Sequence, residues 1–296
     1  KKKIGIILNK EYAGLDKKLN WIKSIKPSFV LTVHHSIKEI NKIIDIPVYR
    51  IMWSTRDDIF KNYKKPYLYD FTITGVIRSD QTNNWRQKIY NTLDNIECTK
   101  YKVFKNVKLE KNNYKGITYP PVAYAKIMSI SKIILVTTGP ADLVGTRYFE
   151  AMATNRVLII TNRMPKNIFG NYLIENFNCI MFDTIDEFYE KIFFYLSHEK
   201  IRMKIVNNAY EYFKGNLTWE KQAVNMTKIF NKILRPDLFK LNRKFGITKE
   251  KKLLLKKNKQ RRIEKEKREN ERNKKREKRE KNRKTSGMVK EKIVNE

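Results

Sequence analysis

"LVGTRYFEAMATNRVLIIT", Leu143 to Thr161, decides the fold. Its end, Val157–Thr161, is a short run of apolar and β-branched residues, as in a strand buried on both faces. The stretch before it, Arg147–Thr154, reads as a helix of small and apolar residues, with Asn155 predicted to close it in the left-handed conformation. A further apolar strand, Ile133–Thr138, precedes the helix, and the loop "GPADLVGT" between them passes over that strand's carboxyl end. In open α/β sheets this edge is where ligands bind. Thr146 stands at the expected N-cap. The first N–H groups of the helix have no helical partner, and the positive end of its dipole faces the same edge, which suits a diphosphate. Gly145 leaves room for backbone to approach a ligand. Glu150 stands one turn in, where a carboxylate can accept from two neighbouring hydroxyls such as those of a ribose.

The same alternation extends outward in both directions. Upstream, Lys3–Leu8, Ser28–Val33 and Val48–Trp53 read as strands, with helices predicted over Gly14–Ile25 and Ile37–Ile44. Downstream, Phe71–Gly75, Tyr101–Phe104 and Cys179–Phe182 read as strands, with helices over Asn84–Leu93 and Pro121–Ile130. Thr184–Glu187 is a capping box that opens a helix to about Leu196, and two more helices follow near Glu199–Phe213 and Trp219–Leu234. Strands alternating with helices imply parallel sheets with helices on their faces. The expected class is α/β with two Rossmann-like domains: a partial one over residues 1–55, a polar linker at 56–66 ending in Pro66, and a complete one over 67–234. Residues 235–296 form a charged tail, helical or disordered. Trp219 is expected in the core.

The chain has 296 residues and a formal charge of +33, from 64 Lys and Arg against 31 Asp and Glu. The tail holds 26 of those basic residues and 10 of the acidic ones. It lacks an apolar stripe, while pairs such as Glu264–Arg268 and Glu271–Lys275 favour helix. A chain this basic attracts anions: phosphates, nucleic acid or an anionic surface. Abundant Lys, Asn and Ile are also what an AT-rich coding sequence supplies. From Lys249 on the tail has no aromatics to stack bases, which argues against specific nucleic-acid reading. Cys98 and Cys179 make neither a disulfide scaffold nor a zinc site, so a reduced, cytoplasmic setting is expected. The apolar run Ile4–Leu8 is too short for a secretory leader, and no run approaches the ~18 residues of a membrane span. Two of the three histidines, His34 and His35, meet at a strand's carboxyl end and face the predicted cleft, where they can contact substrate or act as a base.

"GTRYFEAMATNRVLIIT" (145–161) resembles the donor-binding helix of GT-B glycosyltransferases of group 1 type, nearest to the spore-protein-like group with its R-x-F-E-x-x-A pattern. "YDFTITGVIRSDQTNNWRQKIYNTL" (69–93) is similar to that group's first donor-domain strand, glycine loop and Arg-bearing helix. "HEKIRMKIVNNAYEYFKGNLTWEKQA" (198–223) resembles its closing helices, and "IPVYRIMWSTRDDIF" (46–60) its interdomain crossover. The likeness covers roughly residues 28–234. It implies that Glu150 holds the ribose and that Asp142, eight positions earlier, contacts the donor sugar. Asp142 is shorter than the family's usual Glu. Arg147, Arg78 and Arg86 are implied as pyrophosphate partners, and Gly75 as the close approach of the loop to the donor. Apart from the resemblance, Tyr119–Pro121 read as a turn or as a loop near the nucleotide base.

The expected function is transfer of a sugar from a nucleoside diphosphate sugar to an unknown glycan, lipid or protein acceptor. The resemblance implies a retaining reaction that needs no metal and no cofactor beyond the donor substrate. Asp142, His34 and His35 are the expected catalytic residues. The competing expectation is a non-catalytic nucleotide- or nucleic-acid-binding protein on the same scaffold, with the tail on an anionic surface or nucleic acid.

Overall fold

The computed structural model describes residues 4–8, 14–77, 84–93, 101–109, 118–139 and 142–234. By compactness the chain divides into Lys1–Phe230 and Asn231–Glu296. The predicted tail, Cys98 and Arg78 lie outside the described residues.

The first sheet is built from β1 (Gly5–Ile7), β2 (Phe29–Thr32) and β3 (Val48–Arg50), all parallel and in the order β1-β2-β3. Helices α1 (Leu15–Ile25) and α2 (Ile37–Ile43) make the crossovers. Leu19 and Ile22 of α1 and Ile40 of α2 pack with Val30 and Val48 in a small core.

The second sheet holds β4 (Tyr69–Ile77), β5 (Val103–Leu109), β6 (Ser131–Leu135), β7 (Leu158–Asn162) and β8 (Ile180–Phe182). All of its pairings are parallel, in the order β5-β4-β6-β7-β8. The strand order reverses between β4 and β6, so the crevice of a doubly wound sheet opens at their carboxyl ends. The helices are α3 (Trp85–Tyr90), α4 (Pro121–Ser129), α5 (Arg147–Thr154), α6 (Lys166–Phe169), α7 (Ile185–Ser197), α8 (Glu199–Asn216) and α9 (Trp219–Leu234). Side chains alternate across the sheet. Ile134, Val136 and Ile159 join one core with α4, α5 and α8. Ile133, Leu135, Leu158 and Ile160 join the other with α3 and α7.

Several expectations are corrected in detail. β6 ends at Leu135, so Thr137 and Thr138 belong to the loop at the sheet's edge. The four-residue α6 was not expected; Pro165 opens it and Gly170 ends it, at φ 62°. The segment predicted as a polar linker has no regular structure, but it is packed. Within it Phe60 joins the core beside α5; just before it Ser54 and Thr55 are buried, and the Ser54 hydroxyl donates to the Leu217 carbonyl. The segment's apolar residues, Ile59, Phe60 and Tyr63, cover the end of that core. Trp219 is 51% exposed rather than in the core, because it opens α9 on the helix's outer side. Thr184 caps its helix as expected, its hydroxyl accepting from Glu187 N–H at 3.1 Å, while the Glu187 carboxylate accepts from the Asp183 N–H at 2.7 Å. Among the described residues no helix is long and apolar enough to cross a membrane.

Candidate functional site

β4 runs into the crevice through Thr74, Gly75 and Val76. Gly75 has φ 119°, a conformation that side-chain-bearing residues rarely adopt. A Cβ built there would stand 2.4 Å from Nη1 of Arg147. Arg147, the first residue of α5, donates from Nη1 to the Thr74 carbonyl at 3.3 Å. From the opposite face of the sheet, Arg86 of α3 donates to the Val76 carbonyl at 2.5 Å and to the Thr137 hydroxyl at 2.7 Å. Two guanidinium groups therefore hold the carbonyls that flank Gly75 in sequence.

Arg86 is 7% exposed, and its Nε has no hydrogen-bond partner. Burial, and secondarily the charge of Arg147, pull its pKa down to about 10. It remains a cation at neutral pH, held at a cost that an anion in the crevice would relieve. The two arginines that the resemblance singles out within the described residues thus meet at one point.

Above them lies a cavity of about 220 Å³ lined by Thr74, Gly75, Asn106, Tyr119, Tyr124 and Arg147, among others. Tyr124 on α4 was missed. Its hydroxyl shares a 2.8 Å hydrogen bond with Thr74, and the Arg147 guanidinium lies 5.9 Å from its ring centre. Only the aromatic at position four of an otherwise ordinary helix could have signalled it.

Glu150 is half-buried one turn into α5. Burial raises its carboxyl pKa, while a hydrogen bond with the Thr146 side chain and the Arg147 charge pull the other way. The Thr146 side chain makes no cap bond, contrary to expectation. Its own backbone is already right-handed helical (φ −63°, ψ −27°), and a capping hydroxyl needs extended backbone. Asn155 does end the helix in the left-handed region, at φ 49°. Gly145 is exposed, and nothing among the described residues lies within 4 Å of a built Cβ.

On the first sheet, His34 and His35 follow β2. Their rings stack at 4.7 Å. His34 is buried, and its Nδ1 accepts from the Ser36 N–H at 3.0 Å, which puts the proton of the neutral ring on Nε2. Burial, then His34 and Arg50, lower the pKa of His35, while Asp142 opposes them. Asp142 belongs to the loop over the second sheet. It adopts φ 53° and accepts from the Thr138 hydroxyl at 3.4 Å. Asp142 is thus near enough for its charge to act on His35.

The residues described include no cluster of three metal-ligating side chains. Asp57 and Asp58, adjacent in sequence, pair instead with Lys214 at 3.2 Å and with Arg56 at 2.6 Å.

Residues 56–228 match a family model described as "Glycosyl transferase-like". Solved structures share the fold. Sucrose-phosphate synthase from Thermosynechococcus elongatus is 12% identical with a TM-score of 0.52, over 77% of this chain and 64% of that one. TarM is 14% identical with a TM-score of 0.54, over 77% of this chain and 50% of that one. HepE from Anabaena, solved in complex with UDP-glucose, is 10% identical with a TM-score of 0.52, over 76% of this chain and 72% of that one. The chain thus spans between half and three quarters of the length of these structures. A search of the curated proteins returned no match. With its matched segment covering more than half of the sequence and its parallel sheets laid out as in these structures, the chain belongs to the glycosyl transferase-like family and has the GT-B fold.

Proposed function

We propose that this protein transfers a sugar from a nucleoside diphosphate sugar to an acceptor, without a metal and with retention at the anomeric carbon. The observation that carries this reading is the pair of guanidinium groups, Arg86 and Arg147, on the carbonyls that flank Gly75 at the switch point beside the N-terminus of α5. As the bond from the anomeric carbon to the diphosphate oxygen breaks, negative charge builds on the leaving diphosphate. Fixed cations and unpaired helix N–H groups stabilise that charge at little reorganisation cost. Arg78, the next residue in sequence after β4, adds a third cation. Glu150 holds the ribose hydroxyls, and Gly145 leaves the donor its space. Asp142 contacts the donor sugar from one side of the cleft, and His34 and His35 face the reacting end from the other. Residues 1–55 carry the acceptor side and 67–234 the donor side, working in the cytoplasm.

Uridine diphosphate is the first nucleotide to test, because HepE is described in complex with UDP-glucose. The experiment is calorimetric titration of the full chain with UDP, GDP, ADP and CMP in the presence of EDTA, beside Glu150→Ala. Saturable binding of one nucleoside diphosphate, weakened in the variant, is the expected result. No binding at millimolar concentration of any of them refutes the donor site. Binding without diphosphate release from any matching sugar nucleotide would favour a non-catalytic binding protein.

A further inference from the structure

Arg50 is the last residue of β3, at the carboxyl end of the first sheet. Its side chain does not stay there. Nη1 donates to the Asn167 carbonyl at 3.0 Å and Nη2 to the Ile168 carbonyl at 2.6 Å. Both carbonyls belong to α6, which follows β7 of the second sheet. The last carbonyls of a helix lack helical partners, and a cation suits that end of the dipole. A Cβ built at Gly170, where α6 ends, would lie 3.8 Å from Nη1 of Arg50. The same guanidinium is close enough to His35 to lower its pKa, with Asp142 acting in the opposite sense. One side chain thus reaches from the first sheet to the second, next to the histidine pair.

The two sheets are also joined by the chain itself. Beside that crossover Ser54 bonds to the Leu217 carbonyl and Asp57 pairs with Lys214. Those contacts surround a covalent crossover and need not part when the cleft opens. The Arg50 contact spans the cleft through a side chain alone, so it can be made and broken. Its partners are neutral carbonyls, so it depends less on ionic strength than an exposed ion pair would.

We propose that Arg50 is the closing contact of the cleft: a positioning residue that grips α6 and so sets the His34–His35 pair over the donor face. Hinge closure of this kind completes a reaction site and excludes water from it. The proposal deepens the transferase reading, and its test separates the two.

Spin labels at Lys38→Cys on α2 and Glu190→Cys on α7, both exposed positions, report the separation of the two sheets in a Cys98→Ser background. Cys179 is buried and stays unlabelled. The parent is expected to give one narrow distance distribution. Arg50→Gln is expected to shift it to longer distance and broaden it. Arg50→Lys should fall between, because an ammonium reaches one carbonyl and cannot fork onto two. In parallel, UDP binding to Arg50→Gln should equal that of the parent, since the donor face lies on the second sheet. Release of UDP from UDP-glucose to water should fall about 10²-fold through misplacement of the reacting ends. An unchanged distance distribution in both variants overturns the proposal. If the parent itself fails to bind UDP, the transferase reading loses its support while the distance measurement still decides the role of Arg50.

Discussion

Gly75→Ala tests the centre of the site directly. The new methyl would meet Nη1 of Arg147 at 2.4 Å, a distance no real Cβ contact shows, at a backbone φ of 119°. Two costs follow. Holding a side-chain-bearing residue in that conformation costs about 1–3 kcal/mol. For a folded unit of this size that lowers Tm by roughly 2–12 °C. The flexible end of Arg147 must also move, which breaks its bond to the Thr74 carbonyl and takes its charge away from the crevice. Losing a hydrogen bond to a charged group costs about 1.5–3 kcal/mol, so nucleoside diphosphate affinity should fall by roughly 10- to 150-fold. Calorimetric titration with UDP gives the affinity, and differential scanning calorimetry the Tm. The deciding comparison is the cycle of Gly75→Ala, Arg147→Gln and the double variant. Once Arg147 is absent, the methyl should cost little further affinity, so the two effects must be strongly non-additive. Additive losses, or parent-like affinity in Gly75→Ala, refute the claim that Gly75 exists to seat Arg147.

Three further outcomes are expected. Glu150→Gln should raise stability at pH 7 while weakening nucleotide binding. The folded carboxyl pKa is raised, so the charged form is penalised as pH rises through it, and the gain should vanish below about pH 4.5, where the unfolded group is also protonated; a Tm unchanged at pH 7 contradicts this. Cys179, buried and with its thiol pushed up to about 12, should resist a thiol reagent in the native protein and react once the chain is unfolded, as mass spectrometry of the peptide would show. Asn155→Ala should cost about 1–2 kcal/mol of stability and Asn155→Gly much less, because the residue sits at φ 49°; equal losses in a urea titration would mean that the Asn side chain matters more than the backbone.

Much of this fold is legible in sequence because its strands are buried on both faces and its helices on one, so apolar runs alternate with amphipathic ones. Arg147–Thr154 and Trp219–Leu234 are readable to the residue, since Asn155 closes one and Thr218 precedes the other. Strand ends are less legible. Thr137 continues the pattern of β6 in sequence, yet its hydroxyl is taken by Arg86 from another helix. The site divides in the same way. Glu150, Arg147 and Gly75 belong to local patterns, and the structure brings the last two together. Arg50 and Tyr124 act through partners 118 and 50 positions away, and no local spacing announces such a pairing. Thr146 shows the converse error: a residue type suited to a cap was credited with capping, although its backbone had already entered the helix.

The packed crossover carries a consequence for how the molecule comes apart. Met52 and Phe60 lie between the two sheets in sequence, yet both are buried in the core beneath α5. A fragment trimmed to the matched segment, residues 56–228, would lose Met52 and leave that core short of a wall. The donor half is thus not a detachable cassette. Excision is best made upstream of Met52, and heating the intact chain should melt both sheets in one cooperative transition rather than two.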